Sequence, residues 1–192
     1  VKVTATDGSF SATDTFTLTV ANTNDAPTLV NTVNNQNVDE DSTFNFILPA
    51  NTFNDVDVSD TLTYTATLSD GSAMPSWLSF DATTRTFTGT PLNADVGSIT
   101  LTVTLTDAAG ISISDTFTID VTNTNDAPTV ANALADQNND EDSDFSFTVP
   151  TNTFEDVDVG ETLSYSATLF DGSDLPSWLS FDASTLTFSG TP

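Results

Sequence analysis

The sequence contains no cysteine and no histidine. It therefore has no Ser-His-Asp or Cys-His nucleophilic site, and it lacks the usual ligands of zinc, iron and copper. Basic residues are also scarce, because only Lys2 and Arg85 stand against 28 acidic residues, giving a formal charge of −26. Such a surface repels phosphate backbones and anionic lipid, so nucleic acid and the membrane surface are poor partners. Divalent cations are the natural counter-charges.

No apolar run approaches the roughly 20 residues of a membrane-spanning helix. The chain has no signal peptide and starts inside a repeat, which predicts that it is part of a longer protein. Hydrophobic residues nevertheless make up 37% of the sequence, with 14 Phe and 2 Trp. This content is enough for a real core in each domain and disfavours disorder.

The segment Asn22–Thr28, which reads NTNDAPT, recurs letter for letter at Asn123–Thr129, 101 residues later. The same offset relates further pairs: Asp39–Ser42 and Asp140–Ser143, Asp55–Asp57 and Asp156–Asp158, Trp77 and Trp178, Gly89–Pro91 and Gly190–Pro192. A period near 100 residues is typical of whole domains in tandem rather than of a solenoid. The NTNDAPT segments then form the joints between domains.

Apolar and polar residues alternate at period two in many short segments, and no segment shows the 3.6-residue period of a helix. The predicted strands of the first complete repeat include Thr43–Leu48, Thr61–Leu68, Trp77–Phe80, Arg85–Thr88 and Ile99–Leu105. Turn residues such as Asp70-Gly71 separate them. About seven short strands in roughly 100 residues predict tandem antiparallel β-sandwich domains of the immunoglobulin or cadherin type, an all-β fold.

Residues 1–21 alternate in the same way as Leu101–Val121 and are predicted to be the final hairpin of a preceding or neighbouring-chain repeat. Residues 22–122 form a complete domain, and residues 123–192 form a domain that lacks counterparts of the last two strands. One explanation is that the window belongs to a long tandem array. The other is that the hairpin of one chain completes the last domain of the next by strand addition, giving a head-to-tail fibre. The hairpin at residues 1–21 is not expected to complete the last domain of its own chain, because a whole domain separates the two.

Calcium binds six to eight oxygen atoms from carboxylates, amides and backbone carbonyls. In the segment Asp55-Val56-Asp57, the two carboxylates point the same way from an extended chain. The loops at one end of a sandwich meet the incoming joint, which would gather Asn24, Asp25, Asp55, Asp57 and Asp107. Carboxylates that close together repel unless a cation lies among them. The corresponding set in the second domain is Asn125, Asp126, Asp156 and Asp158.

Several motifs together resemble bacterial tandem cadherin-like domains of the dystroglycan type. They are NTNDAP at 22–27 and 123–128, FxDxD at 53–57 and 154–158, PSWLSFDA at 75–82 and 176–183, GTPLNADVG at 89–97, and the strand endings TDG at 6–8 and TDA at 106–108. The resemblance covers essentially the whole chain. It implies an extracellular, calcium-binding adhesion module.

By analogy with cadherins, Glu40 and Glu141 would lie at the far end of their domains and face the next joint, so that Glu40 bridges to Asn125 and Asp126. The usual LDRE stretch of animal cadherins is reduced here to Asp95, which implies that each joint binds fewer ions or binds them more weakly. Under strand addition, Asp7 of a neighbouring chain would take the place that Asp107 has in the complete domain.

The sequence thus predicts a calcium-binding rod segment of a large adhesin on the bacterial cell surface, or a fibre subunit whose partners are neighbouring repeats or identical chains. A carbohydrate-binding module is the alternative, with cell-surface or matrix carbohydrate as partner, since Trp77 and Trp178 could form a sugar platform. Core packing is the simpler role for both rings. An enzyme that cleaves glycosides with paired acids is disfavoured, because the carboxylates lie at repeated joints rather than in a cleft.

Overall fold

The computed structural model describes residues 1–57, 60–158 and 160–192. The chain divides into two compact units. The first contains Val1–Val38, Thr43–Thr90 and Ser98–Asp120, and the second contains Asp39–Ser42, Pro91–Gly97 and Val121–Pro192. No helix of membrane-spanning length and apolarity occurs in the described part of the chain.

The first unit opens with a hairpin of β1 (Lys2–Thr6) and β2 (Ser11–Thr15). The strands pair antiparallel, with Lys2 opposite Thr15 and Thr6 opposite Ser11. Every residue of both strands is exposed. The sequence predicted that the second strand would continue through Val20, but β2 ends at Thr15. Thr15, opposite Lys2, is the last paired residue of β2.

The nine strands that follow in the described chain build a sandwich: β3 (Thr28–Leu29), β4 (Gln36–Asp39), β5 (Phe44–Ile47), β6 (Phe53–Asn54), β7 (Thr63–Leu68), β8 (Leu78–Asp81), β9 (Thr86–Gly89), β10 (Gly97–Thr106) and β11 (Ser112–Thr122). One sheet has the order β4-β11-β10-β7 and another the order β5-β9-β8, while β3 pairs with β6. A 3₁₀ turn, η1 (Asn93–Asp95), precedes β10.

The core of this sandwich lies between the four-stranded and three-stranded sheets. Phe117 of β11 lies 5.7 Å from the ring of Phe46 on β5 and 5.6 Å from the ring of Phe87 on β9. Phe87 is fully buried and Phe117 is 1% exposed. Alternation along the two long strands places their apolar side chains on this inner face, as the period of two predicts.

The second unit repeats part of this design with β12 (Thr129–Val130), β13 (Phe145–Thr148), β14 (Phe154–Glu155), β15 (Leu179–Asp182) and β16 (Thr187–Gly190). The order β13-β16-β15 and the pair β12-β14 correspond to β5-β9-β8 and β3-β6. Registers are also preserved, since Phe145 faces Gly190 as Phe44 faces Gly89. The predicted all-β tandem sandwich fold is confirmed.

Candidate metal centres

Asp57 connects the joint of the first unit to the loop that follows β6. The residue is 7% exposed. Oδ1 of Asp57 accepts a hydrogen bond from Nδ2 of Asn22 at 2.7 Å, and Oδ2 accepts one from the backbone amide of Asp25 at 2.7 Å. The amide of Asp57 in turn donates to Oδ1 of Asp55 at 2.9 Å. This chain of hydrogen bonds fixes both aspartates of the DVD motif against the NTNDAP segment.

A first carboxylate cluster is formed by Asp55, Asp60 and Asp107, which each place an oxygen within 4.8 Å of the others. Oδ2 of Asp55 and Oδ2 of Asp60 are buried and have no hydrogen-bond partner among the described residues. A buried carboxylate oxygen without a donor is costly, and its neighbours here are further anions. The cluster is therefore arranged as a cation site would be.

Asp107, the third member of this cluster, directly follows β10 and is 5% exposed. Its Oδ1 accepts a hydrogen bond from the amide of Ile111 at 2.7 Å, and its Oδ2 accepts one from Nδ2 of Asn24 at 2.9 Å. The Asn24 amide, followed by backbone amides of the turn, lowers the pKa of Asp107 below its ordinary value of 3.8. The carboxylate is consequently held in its anionic form, the form that ligates metals.

A second carboxylate cluster is formed within the second unit by Glu40, Asp126 and Asp158, again with oxygens within 4.8 Å of one another. Glu40 is 1% exposed. Its Oε1 accepts a hydrogen bond from the amide of Thr124 at 2.9 Å, while its Oε2 is buried without a partner among the described residues. At this spacing each pair of charges repels by roughly 3 to 4 kcal/mol at an effective dielectric constant of about 20.

Asp158 is oriented in the second cluster much as Asp57 is in the first unit. Its Oδ2 accepts from the amide of Asp126 at 2.7 Å, and its own amide donates to Oδ1 of Asp156 at 3.0 Å. Nδ2 of Asn93, in η1, donates to Oδ1 of Asp158 at 3.2 Å. Asn93 thus takes the role that Asn22 has toward Asp57.

The structure brings most of the predicted ligands into the two carboxylate clusters or beside them. Asn24, Asp55, Asp57 and Asp107 converge in the first unit, and Glu40, Asp126, Asp156 and Asp158 converge in the second. Asp25 and Asn125 have exposed side chains. The backbone amide of Asp25 donates a hydrogen bond to Asp57, and Nδ2 of Asn125 donates one to the carbonyl of Asp126 at 2.8 Å.

Two predicted ligands lie away from both clusters and from the residues hydrogen-bonded to them. Glu141 is exposed, although it is the sequence counterpart of the buried Glu40. Asp7 is exposed in the tip of the first hairpin, where its Oδ1 accepts hydrogen bonds from the amides of Ser9 and Phe10 at 2.9 and 2.7 Å. These amides, that of Phe10 above all, lower the pKa of Asp7 below its ordinary value of 3.8.

The sequence did not single out Asp60 or Asn93. Asp60 has an acidic counterpart at Glu161, and this repeated acid was an available signal. Asn93 lies in the stretch where only Asp95 was considered, but Oδ2 of Asp95 accepts from the amide of Leu92 at 3.0 Å and so caps its own turn. Nothing in the local sequence shows that Asn93 faces a residue 65 positions away.

The two tryptophans pack against phenylalanines. The ring of Trp77 is 6.3 Å from that of Phe44 at 77°, and the ring of Trp178 is 6.5 Å from that of Phe145 at 78°. Trp77 is half-buried, as expected of edge-to-face core packing, whereas Trp178 is 40% exposed and its ring is only partly covered.

Repeated antiparallel sandwiches with acidic joints define a tandem immunoglobulin-like protein. The chain belongs to the Putative Ig domain family (He_PIG), whose family model matches residues 26–122 and 127–192. None of the curated proteins matches the sequence.

Solved structures that resemble the chain include an endo-fucoidan hydrolase variant of glycoside hydrolase family 107, with 20% identity and a TM-score of 0.44 over 100% of this chain and 30% of that one. The human Desmocollin-1 ectodomain has 17% identity and a TM-score of 0.41 over 86% of this chain and 33% of that one. The titin domains z1z2 in complex with telethonin have 15% identity and a TM-score of 0.39 over 88% and 81%.

Proposed function

We propose that the chain is a calcium-binding structural and adhesion module of an extracellular protein on the bacterial cell surface. Glu40 carries the proposal, because its Oε2 is buried with no donor among the described residues and one of its oxygens lies within 4.8 Å of two other carboxylates. A bound cation would complete its coordination and remove the repulsion within the cluster.

The chemistry of the donors favours calcium over other metals. All candidate ligands are carboxylate, amide or backbone oxygens, and calcium is a hard cation that takes six to eight of these. Magnesium usually retains several waters and uses one or two carboxylates rather than a dedicated protein cage. Zinc and copper prefer nitrogen and sulfur ligands, and the sequence has neither histidine nor cysteine.

An ion in the second cluster would cross-link three distant parts of the sequence. Glu40 belongs to Asp39–Ser42, Asp126 belongs to the joint, and Asp158 follows β14. We expect bound calcium to hold these segments together and to restrict motion between consecutive repeats. The role is mechanical and non-catalytic, which fits a family of immunoglobulin-like domains.

The test compares the melting temperature of the chain in calcium and in EDTA. Calcium that binds only the folded state should raise the Tm, by an amount equivalent to about 2.7 kcal/mol at 100 times the dissociation constant. Glu40→Gln should remove the part of this rise that comes from the second cluster. Glu141→Gln is the matched control, since it alters the exposed counterpart and should respond to calcium as the parent does.

Small-angle scattering gives a second readout, because stiffer joints should increase the maximum dimension when EDTA is replaced by calcium. A parent chain with the same Tm and the same maximum dimension in both buffers would refute the proposal.

A further inference from the structure

Strand β7 lies at the edge of the sheet with order β4-β11-β10-β7, so β10 is its single neighbour among the described strands. Its sequence, TYTATL, contains no charged residue and no proline. Its register with β10 runs without a bulge from Thr63 to Leu68. Proteins commonly protect an edge strand with a lysine, a proline or a bulge, because the unpaired backbone groups there can accept another strand. The edge of β7 has none of these three devices.

The backbone groups of Tyr64 and Ala66 point away from β10. The amide of Ser69 donates to the carbonyl of Thr100 at 2.9 Å. Residues that bond to the partner strand alternate along an antiparallel pair, so every second residue before Ser69 bonds to β10 and the residues between them face outward. Leu68 uses its outward groups in the turn that follows. Those of Tyr64 and Ala66 have no partner among the described residues.

A groove of about 540 Å³ adjoins the beginning of this edge. It is lined by residues at the start of β7 and in the turn between β8 and β9, namely Leu62, Thr63, Tyr64, Ala82, Thr83 and Arg85. All of them belong to the first unit. The groove has the volume of a typical ligand site and lies within one domain.

Arg85 brings one of the two basic side chains of the sequence into this groove. It is half-buried, and its guanidinium carbon lies 5.8 Å from the centre of the Tyr64 ring. Although the sequence has 28 acidic residues, the guanidinium has no carboxylate or other hydrogen-bond acceptor as a partner in the described part of the chain. A guanidinium carries five N–H donors in a fork that matches a carboxylate. The groove is therefore complementary to a carboxylate.

We propose that the edge of β7 binds an extended peptide segment of another protein, which adds to the sheet as an antiparallel strand and places a carboxylate at its C-terminal end on Arg85. The free amides and carbonyls of Tyr64 and Ala66 would pair with the backbone of the peptide. This binding uses no metal, so it does not rest on the proposed calcium sites.

The direction of the added strand follows from the existing pair. Thr106, at the C-terminal end of β10, is opposite Thr63. A peptide that runs antiparallel to β7 on the other edge likewise has its C-terminal end near Thr63, which lines the groove. The formal charge of −26 repels a peptide rich in acidic residues, so the favoured partner is an uncharged strand with a single carboxylate at this end.

The experiment titrates the ¹⁵N-labelled 192-residue chain with two synthetic peptides and follows the backbone amides by NMR. Both peptides alternate valine and threonine and have blocked ends, but one finishes in aspartate and the other in asparagine. We expect the aspartate peptide to shift the amide signals of Tyr64 and Ala66. The asparagine peptide should bind roughly tenfold more weakly, because it lacks the charge that pairs with Arg85.

Arg85→Leu tests the guanidinium. Leu186 holds the corresponding position of the second repeat with φ of 53°, against 56° for Arg85, so the turn accepts leucine. This variant should bind the aspartate peptide roughly tenfold more weakly than the parent does and the asparagine peptide equally well. Lys2→Leu is the matched control, since it removes the other basic side chain, which is exposed in β1, and should bind as the parent does.

Ala66→Pro tests the strand edge. Proline removes an amide that β10 does not use, a change that edge strands accept, and it should abolish the shifts caused by both peptides. No shifts in the parent chain, equal affinity of the two peptides, or shifts that persist in a folded Ala66→Pro variant would overturn the inference. If Ala66→Pro does not fold, the two peptides with the parent and Arg85→Leu decide the matter. Signals that shift with glucuronate alone and with neither peptide would also overturn it and would identify a sugar acid as the ligand of Arg85.

Discussion

The backbone amide of Asp126 donates a hydrogen bond to Oδ2 of Asp158 at 2.7 Å. The amide of Asp25 makes the same contact with Oδ2 of Asp57, also at 2.7 Å. Each joint is therefore anchored to the second aspartate of the DVD motif in its own unit. These hydrogen bonds leave the remaining carboxylates of each unit facing one another.

Asn93→Asp should make the second unit more dependent on calcium. The substitution replaces the donor to Asp158 with another carboxylate, so in EDTA we expect a loss of roughly 1 to 3 kcal/mol in the free energy of unfolding. Calcium should restore much of this loss by ligating the new oxygen. Denaturant unfolding in both buffers measures the effect. Asn37→Asp, at an exposed position of β4, adds the same charge and should show no such difference.

Phe117→Ala should destabilise the first unit by roughly 3 to 5 kcal/mol, because it removes a ring that is 1% exposed and contacts Phe46 and Phe87. Phe16→Ala removes the matching residue of the first hairpin, which is 55% exposed. We expect it to change the unfolding free energy of a single chain by less than about 0.5 kcal/mol. Equal effects of the two substitutions on chemical denaturation would contradict the assigned burial.

Gly89→Ala should lower the unfolding free energy by roughly 3 kcal/mol. A Cβ at this position would overlap the backbone carbonyl of Trp77, and backbone yields less readily than a side chain. A Cβ at Gly190 would likewise overlap the backbone carbonyl of Trp178, so Gly190→Ala should destabilise the second unit in the same way. Thr90→Ala, at the exposed position that follows β9, is the control and should be close to neutral in the same thermal melts.

Stability should fall as the pH drops below about 4. The Ser72 hydroxyl donates to Oδ1 of Asp70 at 2.6 Å and holds the pKa of this carboxyl below its ordinary value of 3.8; Ser173 acts likewise on Asp171. A carboxyl whose pKa is lower in the folded state binds its proton more readily in the unfolded state, so its contribution is complete above the unfolded pKa and is lost in acid.

The double substitution Asp70→Asn with Asp171→Asn tests this directly. Asparagine keeps the acceptor oxygen but cannot titrate, so the variant should lose less Tm between pH 5 and pH 3 than the parent does. An unchanged pH profile would show that these turns do not contribute to the acid sensitivity.

Much of the fold follows from local sequence. The alternation in Ile99–Leu105 predicted a strand, and β10 covers Gly97–Thr106 because its apolar side chains all reach the inner face. Ends of strands were less predictable. Thr61 and Leu62 continue the alternation of β7, yet the strand begins at Thr63, opposite Thr106 at the end of β10. Pairing with a distant strand, rather than local pattern, decides where a strand ends.

The candidate sites divide in the same way. The DVD motif and the repeated joint could be found from spacing, since the backbone alone places both aspartates of the motif on one side. The burial of Glu40 and the exposure of Glu141 could not be predicted from the sequence, because the two residues have almost identical neighbours. The segment Pro91–Gly97 and the joint at 123–128 lie in one compact unit with Glu40, and this arrangement is a property of the fold.

The contact between joint and motif has a consequence for the repeated design. Asp25 and Asp126 each donate a backbone amide, not a side chain, to the aspartate that holds them. A change of either side chain therefore leaves the donor in place, and the same junction can be copied from one repeat to the next with its geometry preserved.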